Sequence, residues 1–191
     1  MRPSQLSFLE PVPALPAGLR YRMDLISATE ERKLVGQLGA LPFQAFEFQG
    51  YLGKRRVISF GWRYDFNRMQ IQRTEDIPSF LLGLRERAAA FAGLASADLQ
   101  QVLLTEYAPG AGIGWHRDKP VFAEVVGLSL VSPCVFRMRR KTGATWERTS
   151  LTLEPRSAYL LQGPARTEWE HSIPAVEVLR YSITFRTFRS Q

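Results

Sequence analysis

A chain of 191 residues with 45% hydrophobic and 23% charged side chains has the balance of one globular domain with a sizeable core, which excludes a disordered or low-complexity polymer. Its 25 basic against 18 acidic residues leave a formal net charge of +7, which favours polyanionic partners without naming one. Charges or prolines interrupt every apolar run before bilayer length, so no membrane partner is expected, and the single cysteine, Cys134, excludes an internal disulfide.

In chain order, residues 1–25 read as an extended lead-in punctuated by Pro3, Pro11, Pro13 and Pro16, without the apolar core of a secretory signal, so a reduced, cytoplasmic setting is expected. Ser27-Ala28-Thr29-Glu30 has the form of a capping box and predicts a helix from about Thr29 to Leu38, with Leu34, Val35 and Leu38 on its apolar face and Gly39 as its stop. A second helix is predicted from Pro78 to about Phe91, ended by Gly93. Beyond Leu99 the chain reads as short strands: Val102–Tyr107, Val125–Val131, Cys134–Met138, Ser150–Leu153, Ala158–Leu161 and Tyr181–Phe188. Pro109-Gly110, Thr142-Gly143 and Gly163-Pro164 supply turns between them. Helices followed by many strands predict an α+β protein with a sandwich or barrel-like sheet pair and helices on one side. No repeat or linker divides it.

The chain has only two histidines. His116-Arg117-Asp118 sets an imidazole and a carboxylate two residues apart, which in extended backbone puts both on one face. His171 lies far along the chain, in Trp169-Glu170-His171. Two histidines and one carboxylate are the facial triad that holds non-haem iron(II) with open positions left for other ligands. Taken alone, the same residues are more simply a satisfied loop histidine and an aspartate capping a turn ahead of Pro120. The last strand adds a second signal. Arg180, Ser182, Thr184 and Arg186 fall on one face and Tyr181, Ile183 and Phe185 on the other. The two guanidinium groups, roughly 20 Å apart at their Cα atoms, suit a small dicarboxylate between them, because arginine's planar fork binds carboxylate bidentately. A solvated basic edge would show the same alternation.

The order of Tyr107-Ala108-Pro109-Gly110, Trp115-His116-Arg117-Asp118, Trp169-Glu170-His171 and Arg180 through Arg186 resembles the AlkB-like iron(II)- and 2-oxoglutarate-dependent dioxygenases, strongly from Leu103 to Phe188. The resemblance implies one domain over 1–191 with a double-stranded β-helix, or jelly-roll, core at 100–189, N-terminal helices packed on one side, and a substrate-recognition lid at 54–73. It implies His116, Asp118 and His171 as iron ligands. Arg180, helped by the Tyr107 hydroxyl, would grip the distal carboxylate of 2-oxoglutarate, and Arg186 would orient Asp118 and the keto-acid end. Thr105 stands where family members often have an asparagine touching the cosubstrate, and offers only a hydroxyl. The implied cofactors are Fe(II), 2-oxoglutarate and dioxygen. The implied reaction is oxidative dealkylation of an N-alkylated base in alkylation repair, releasing succinate, carbon dioxide and an aldehyde.

Within Phe60-Gly61-Trp62-Arg63-Tyr64-Asp65-Phe66, Trp62 and Tyr64 are the candidates to stack on a flipped base, although Trp62 fits a core strand position equally well. Arg63 and Lys54-Arg55-Arg56 would face phosphates, and so would Arg137, Arg139, Arg140 and Lys141 unless they form a solvated hairpin tip. DNA-repair members often carry an acid two residues beyond the metal aspartate; here it is Pro120, which leaves base preference and DNA against RNA open. The expected partner is nucleic acid, single-stranded or locally flipped, and the expected state is a monomer. Two alternatives stand beside this reading: an oxygenase of the same cofactors acting on a protein or small molecule, and a basic nucleic-acid-binding module without catalysis.

Overall fold

The computed structural model describes residues 15–48, 51–65 and 68–189. Most of the expected lead-in (residues 1–14) and part of the expected lid, Phe66 included, lie outside the described residues.

The first helix is where its caps put it. Ser27 Oγ accepts from the Glu30 N–H at 3.3 Å while the Glu30 carboxylate accepts from the Ser27 N–H at 2.8 Å, and α1 runs Ala28–Gly39 with Leu34 and Leu38 buried. The second helix, α2 (Ser79–Ala92), starts after Pro78 and buries Leu81, Leu84, Ala88, Ala89 and Ala92, one stripe at helical spacing. Gly93, at φ 75°, takes the left-handed conformation that ends it, its N–H meeting the Ala89 and Ala90 carbonyls.

Between and around these helices run β1 (Leu19–Arg22), β2 (Gln44–Phe48), β3 (Tyr51–Phe60), β4 (Trp62–Asp65) and β5 (Gln70–Arg73). After α2 and a 3-10 turn (Ser96–Asp98) come β6 (Gln101–Tyr107), β7 (Ile113–His116), β8 (Phe122–Leu130), β9 (Cys134–Thr142), β10 (Thr145–Leu153) and β11 (Ala158–Leu161). The chain then makes a short helix, α3 (Gly163–Thr167), followed by β12 (Glu170–Ile173) and β13 (Arg180–Phe188). Gly163-Pro164, expected as a turn, starts α3 because proline suits a first helical turn. The predicted strands are all present, with β9 and β10 extended into a long hairpin whose partners run from Cys134↔Leu153 to Thr142↔Thr145.

Two antiparallel sheets face one another. The major sheet has seven strands in the order β1-β11-β8-β13-β6-β3-β2, and the minor sheet four in the order β10-β9-β12-β7. Strand alternation divides the core in two. Val102, Leu104, Val126, Leu128, Leu130, Ile183 and Phe185 point from the major sheet to α1 and α2. Tyr107, Val125, Tyr159 and Leu161 point the other way, against Cys134, Phe136, Met138 and Ile173 of the minor sheet. This is the jelly-roll core with helices on one side. On β13 the split places Tyr181, Ile183 and Phe185 under the helices and leaves Arg180, Ser182, Thr184 and Arg186 facing the minor sheet.

Candidate active site

The two histidines meet by register. β12 pairs antiparallel with β7 so that His171 sits directly opposite His116, with ring centroids 4.3 Å apart. Asp118 lies two residues past the end of β7, and its Oδ2 stands 3.7 Å from His171 Nε2. Arg186 reaches across from the major sheet and donates from Nε to Asp118 Oδ1 at 2.8 Å, with Nη2 2.6 Å from the same oxygen; its Nη1 donates to Gln101 Oε1 at 2.9 Å. The Asp118 side chain is only 6% exposed.

The electrostatics suit ligation. Burial holds both imidazoles below their ordinary range, His171 at about 3 with His116 as the next cause. Both rings are therefore neutral at physiological pH, with a nitrogen lone pair to give. Burial pushes the Asp118 carboxyl up, but the Arg186 guanidinium bound to it outweighs this and holds the group well below the usual carboxylate range. Among the described residues no three such side chains already form a finished ligand geometry. The fold does bring together two neutral imidazoles and one carboxylate, a donor set that fits a divalent transition metal with open positions.

A second observation concerns the dicarboxylate. Arg180 is 1% exposed, stacks on the Tyr107 ring at 5.0 Å and donates from Nε to Ser129 Oγ at 3.1 Å. Its Nη1 is buried with no hydrogen-bond partner, and it has no ion pair among the described residues. A buried guanidinium without a counter-charge costs several kcal/mol on the usual scale, so one held this way fits an anionic ligand. Arg180, Ser182, Thr184 and Arg186 all line one cavity of about 1200 Å³ between the sheets, together with His116, Asp118, His171, Tyr107 and Thr105.

The substrate-side expectations divide. Tyr64 and Arg63 line the cavity, and the Lys119 ammonium lies 5.0 Å from the Tyr64 ring. Trp62 does not line it: its ring packs edge-on against Phe188 at 5.6 Å and beneath the Arg73 guanidinium at 5.8 Å, beside a separate shallow cleft. The row Lys54-Arg55-Arg56 is not one phosphate patch, because successive residues of β3 face opposite ways. Lys54 and Arg56 are exposed, and Arg56 is bound to Glu106 through Nε (2.7 Å) and Nη2 (2.9 Å). Arg55 turns inward, lining the cavity with its guanidinium 3.8 Å from the Phe46 ring.

Several contributors have no sequence motif. Tyr159 presses its ring against Phe136 (4.8 Å between centroids) and over Gly127, where any Cβ would stand 2.2–2.4 Å from ring atoms. Arg166 is 5% exposed and donates to the Lys119 and Phe122 carbonyls at 2.7 and 2.8 Å, which fixes the loop that carries Asp118. Gln101 and Ser129 hold the two arginines. The one available signal was strand alternation, which places Tyr159 on the same face as Leu161.

The comparisons bear on the family and the fold. The family model of the 2OG-Fe(II) oxygenase superfamily matches residues 23–186. An Arabidopsis thaliana protein named alkylated DNA repair protein ALKBH8 homolog is 30% identical over 82% of this chain and 51% of its own length. The Mus musculus tRNA (carboxymethyluridine(34)-5-O)-methyltransferase ALKBH8 is 28% identical over 84% of this chain and 24% of its own. The chain thus spans about half or less of the length of these relatives. The solved structure of OsALKBH1 superimposes with a TM-score of 0.71 at 15% identity, covering 89% of this chain and 96% of that one, which shows the fold. Members of the matched family use Fe(II), 2-oxoglutarate and dioxygen. With the family model matched over most of the chain and a relative 30% identical over 82% of it, the chain belongs to the 2OG-Fe(II) oxygenase superfamily and is AlkB-like.

Proposed function

We propose that this chain catalyses Fe(II)- and 2-oxoglutarate-dependent oxidative dealkylation of N-alkylated nucleic-acid bases. The observation that carries the reading is one cavity that holds both the histidine-aspartate cluster and the unpaired Arg180 at its floor, with Tyr64 and Arg55 on its outer walls. Its volume, about 1200 Å³, admits a nucleobase above a bound dicarboxylate. The relatives' names, one a DNA repair protein and one a tRNA methyltransferase, support a nucleic-acid substrate and leave the strand type to experiment.

In this reading His116, Asp118 and His171 would hold the iron, and Arg180 would take the distal carboxylate of 2-oxoglutarate, with Tyr107 beside it. When bound, iron with 2-oxoglutarate and dioxygen supplies hydroxylation of the N-alkyl carbon, with 2-oxoglutarate converted to succinate and carbon dioxide. Arg186 fixes the carboxylate of Asp118, leaving Oδ2 to the metal side. Thr105 and Ser182, opposite one another on β6 and β13, line the floor without filling it. Tyr64 and Arg63 border the base.

The test is anaerobic loading with iron(II) and 2-oxoglutarate, then aerobic incubation with single-stranded DNA and RNA oligonucleotides carrying 1-methyladenine or 3-methylcytosine. Loss of one methyl group with matching succinate, both abolished in His116→Ala, is the expected result. Succinate without demethylation on any strand would overturn the substrate class and favour a protein or small-molecule substrate. Absence of both, with no iron bound, would overturn the enzyme reading.

A further inference from the structure

The outer face of the minor sheet carries a set of groups that the active site does not use. Along β9 the residues pointing away from the core are Arg137, Arg139 and Lys141, and the register places Ser150, Arg148 and Trp146 of β10 opposite them. Residues opposite in an antiparallel pair share a face, so Arg148 stands beside Arg139 and Trp146 beside Lys141. The Arg139 guanidinium lies between two indoles, 4.4 Å from the Trp115 ring and 4.3 Å from the Trp146 ring, and Arg137 lies 5.1 Å from Trp115.

Charge on this face is unbalanced. Arg139 is paired with Glu170 at 2.6 Å, but Arg137, Lys141 and Arg148 have no ion pair among the described residues. Arg140, which points to the opposite face, is held by Glu147 and Glu168, both at 2.7 Å. Like charges directly opposite one another destabilise a sheet, and a solvated hairpin tip has no reason to gather them beside a 36% exposed tryptophan. Cation–π stacking at exposed sites contributes only about 0.5–1 kcal/mol, enough to seat Arg139 but not to explain its uncompensated neighbours.

Cations that track a backbone, interleaved with aromatic faces, are the chemistry that binds single-stranded nucleic acid without sequence choice. The position of the face matters as well. Trp115 immediately precedes His116 and borders the active-site cavity, while Trp146 stands on the outermost strand of the sheet and leans back over it, reaching Trp115 through the Arg139 guanidinium that both indoles touch. The row therefore leads from the cavity mouth across β7, β12, β9 and β10.

We infer that the outer face of the minor sheet is a track for the single-stranded stretch of nucleic acid that flanks the target nucleotide. Arg137, Lys141 and Arg148 meet its phosphates, and Trp146 offers its free face to a base. The inference rests on the nucleic-acid reading of the active site, but its test does not require turnover.

Fluorescence anisotropy with an unmodified single-stranded 15-mer, DNA and RNA in parallel, measures the track directly. Trp146→Ala is expected to weaken binding about tenfold, the scale of one lost base stack, and Trp146→Tyr to restore most of it. Lys141→Gln with Arg148→Gln is expected to reduce the slope of log affinity against log salt by about 1.4, two phosphate contacts on a single strand. Both variants alter exposed positions, and both should demethylate a methylated nucleoside monophosphate, which carries no flanking strand, at the wild-type rate. Unchanged affinity and salt slope in these variants would overturn the inference, as would a wild-type protein that fails to bind either strand. Binding that depends on Trp146, without demethylation of any oligonucleotide, would uphold the track and overturn the dealkylase reading instead.

Discussion

Replacing Arg180 by methionine separates a residue kept for a ligand from one kept for the fold. In the folded chain the guanidinium contributes one hydrogen bond, to Ser129 Oγ, and one stack, on Tyr107, together about 2–3 kcal/mol. Against this stands a buried charge with no carboxylate partner and an unbonded Nη1, whose desolvation costs several kcal/mol on the usual scale for an uncompensated buried ion. The cost at least matches the gain. Methionine fills much of the same volume, so Arg180→Met should stay within about 2 kcal/mol of wild type, at most about 4–8 °C in Tm for a chain of this size. The cosubstrate should respond very differently. Two charge-assisted hydrogen bonds at about 1.5–3 kcal/mol each place the loss of 2-oxoglutarate affinity at a hundredfold or more. Thermal melts under nitrogen with manganese(II) measure both effects. At a 2-oxoglutarate concentration of 100 times the wild-type Kd, wild type gains about 2.7 kcal/mol and the variant about 0.4 kcal/mol or less. A variant that loses more than about 4 kcal/mol while keeping its response to 2-oxoglutarate would refute the reasoning, because Arg180 would then be a structural residue.

Arg186→Gln removes the group that fixes Asp118 and should weaken manganese(II) binding roughly ten- to a hundredfold, read from the free-ion signal by electron paramagnetic resonance. Gly127→Ala drives a methyl group into the Tyr159 ring and should cost about 1–3 kcal/mol; in a Tyr159→Ala background the same change should cost almost nothing, which paired denaturation curves would show. The Arg56 guanidinium, with a smaller share from the Tyr181 hydroxyl, holds the Glu106 carboxyl below its ordinary range, so its stabilisation is present above the unfolded carboxylate pKa of about 4.3 and is lost as pH falls through the lower folded value. The difference in Tm between wild type and Glu106→Gln should therefore be level from pH 6 to 8 and close below about pH 4; a difference that widens on acidification would contradict this.

Much of the active site was legible because it depends on short-range alternation. His116 and Asp118, two apart, and Arg180 and Arg186, six apart, each share a face in any extended strand, whatever the sheet around them. The helix caps at Ser27 and Gly93 were legible for the same reason, since a cap is made by residues within one turn. What could not be read was pairing. That His171 lies opposite His116, or that Arg166 secures the loop bearing Asp118, is decided by strands and helices that meet from distant parts of the chain. The row Lys54-Arg55-Arg56 misled in the opposite way. Its charge suggested a surface patch, but two-residue alternation in β3 turns the middle arginine toward the cavity, half-buried, and gives the third to Glu106. Trp62 was drawn to the cavity by the aromatic run around it, and the apolar ring of Phe188 at the end of β13 holds it elsewhere.

The Arg186–Asp118 pair joins residues from opposite sheets, since Arg186 rises from β13 and Asp118 hangs from the end of β7. The same holds for the whole site, with the histidines on one layer and Arg180 on the other. Occupancy of the cavity is thus a second rivet through the sandwich, fastening two layers that otherwise adhere by side-chain packing and the Arg186–Asp118 pair. Spreading the sheets apart has to break that rivet first. Filling the site should therefore slow amide hydrogen exchange throughout β7, β9 and β12, including at positions too far from the cavity to touch what it holds.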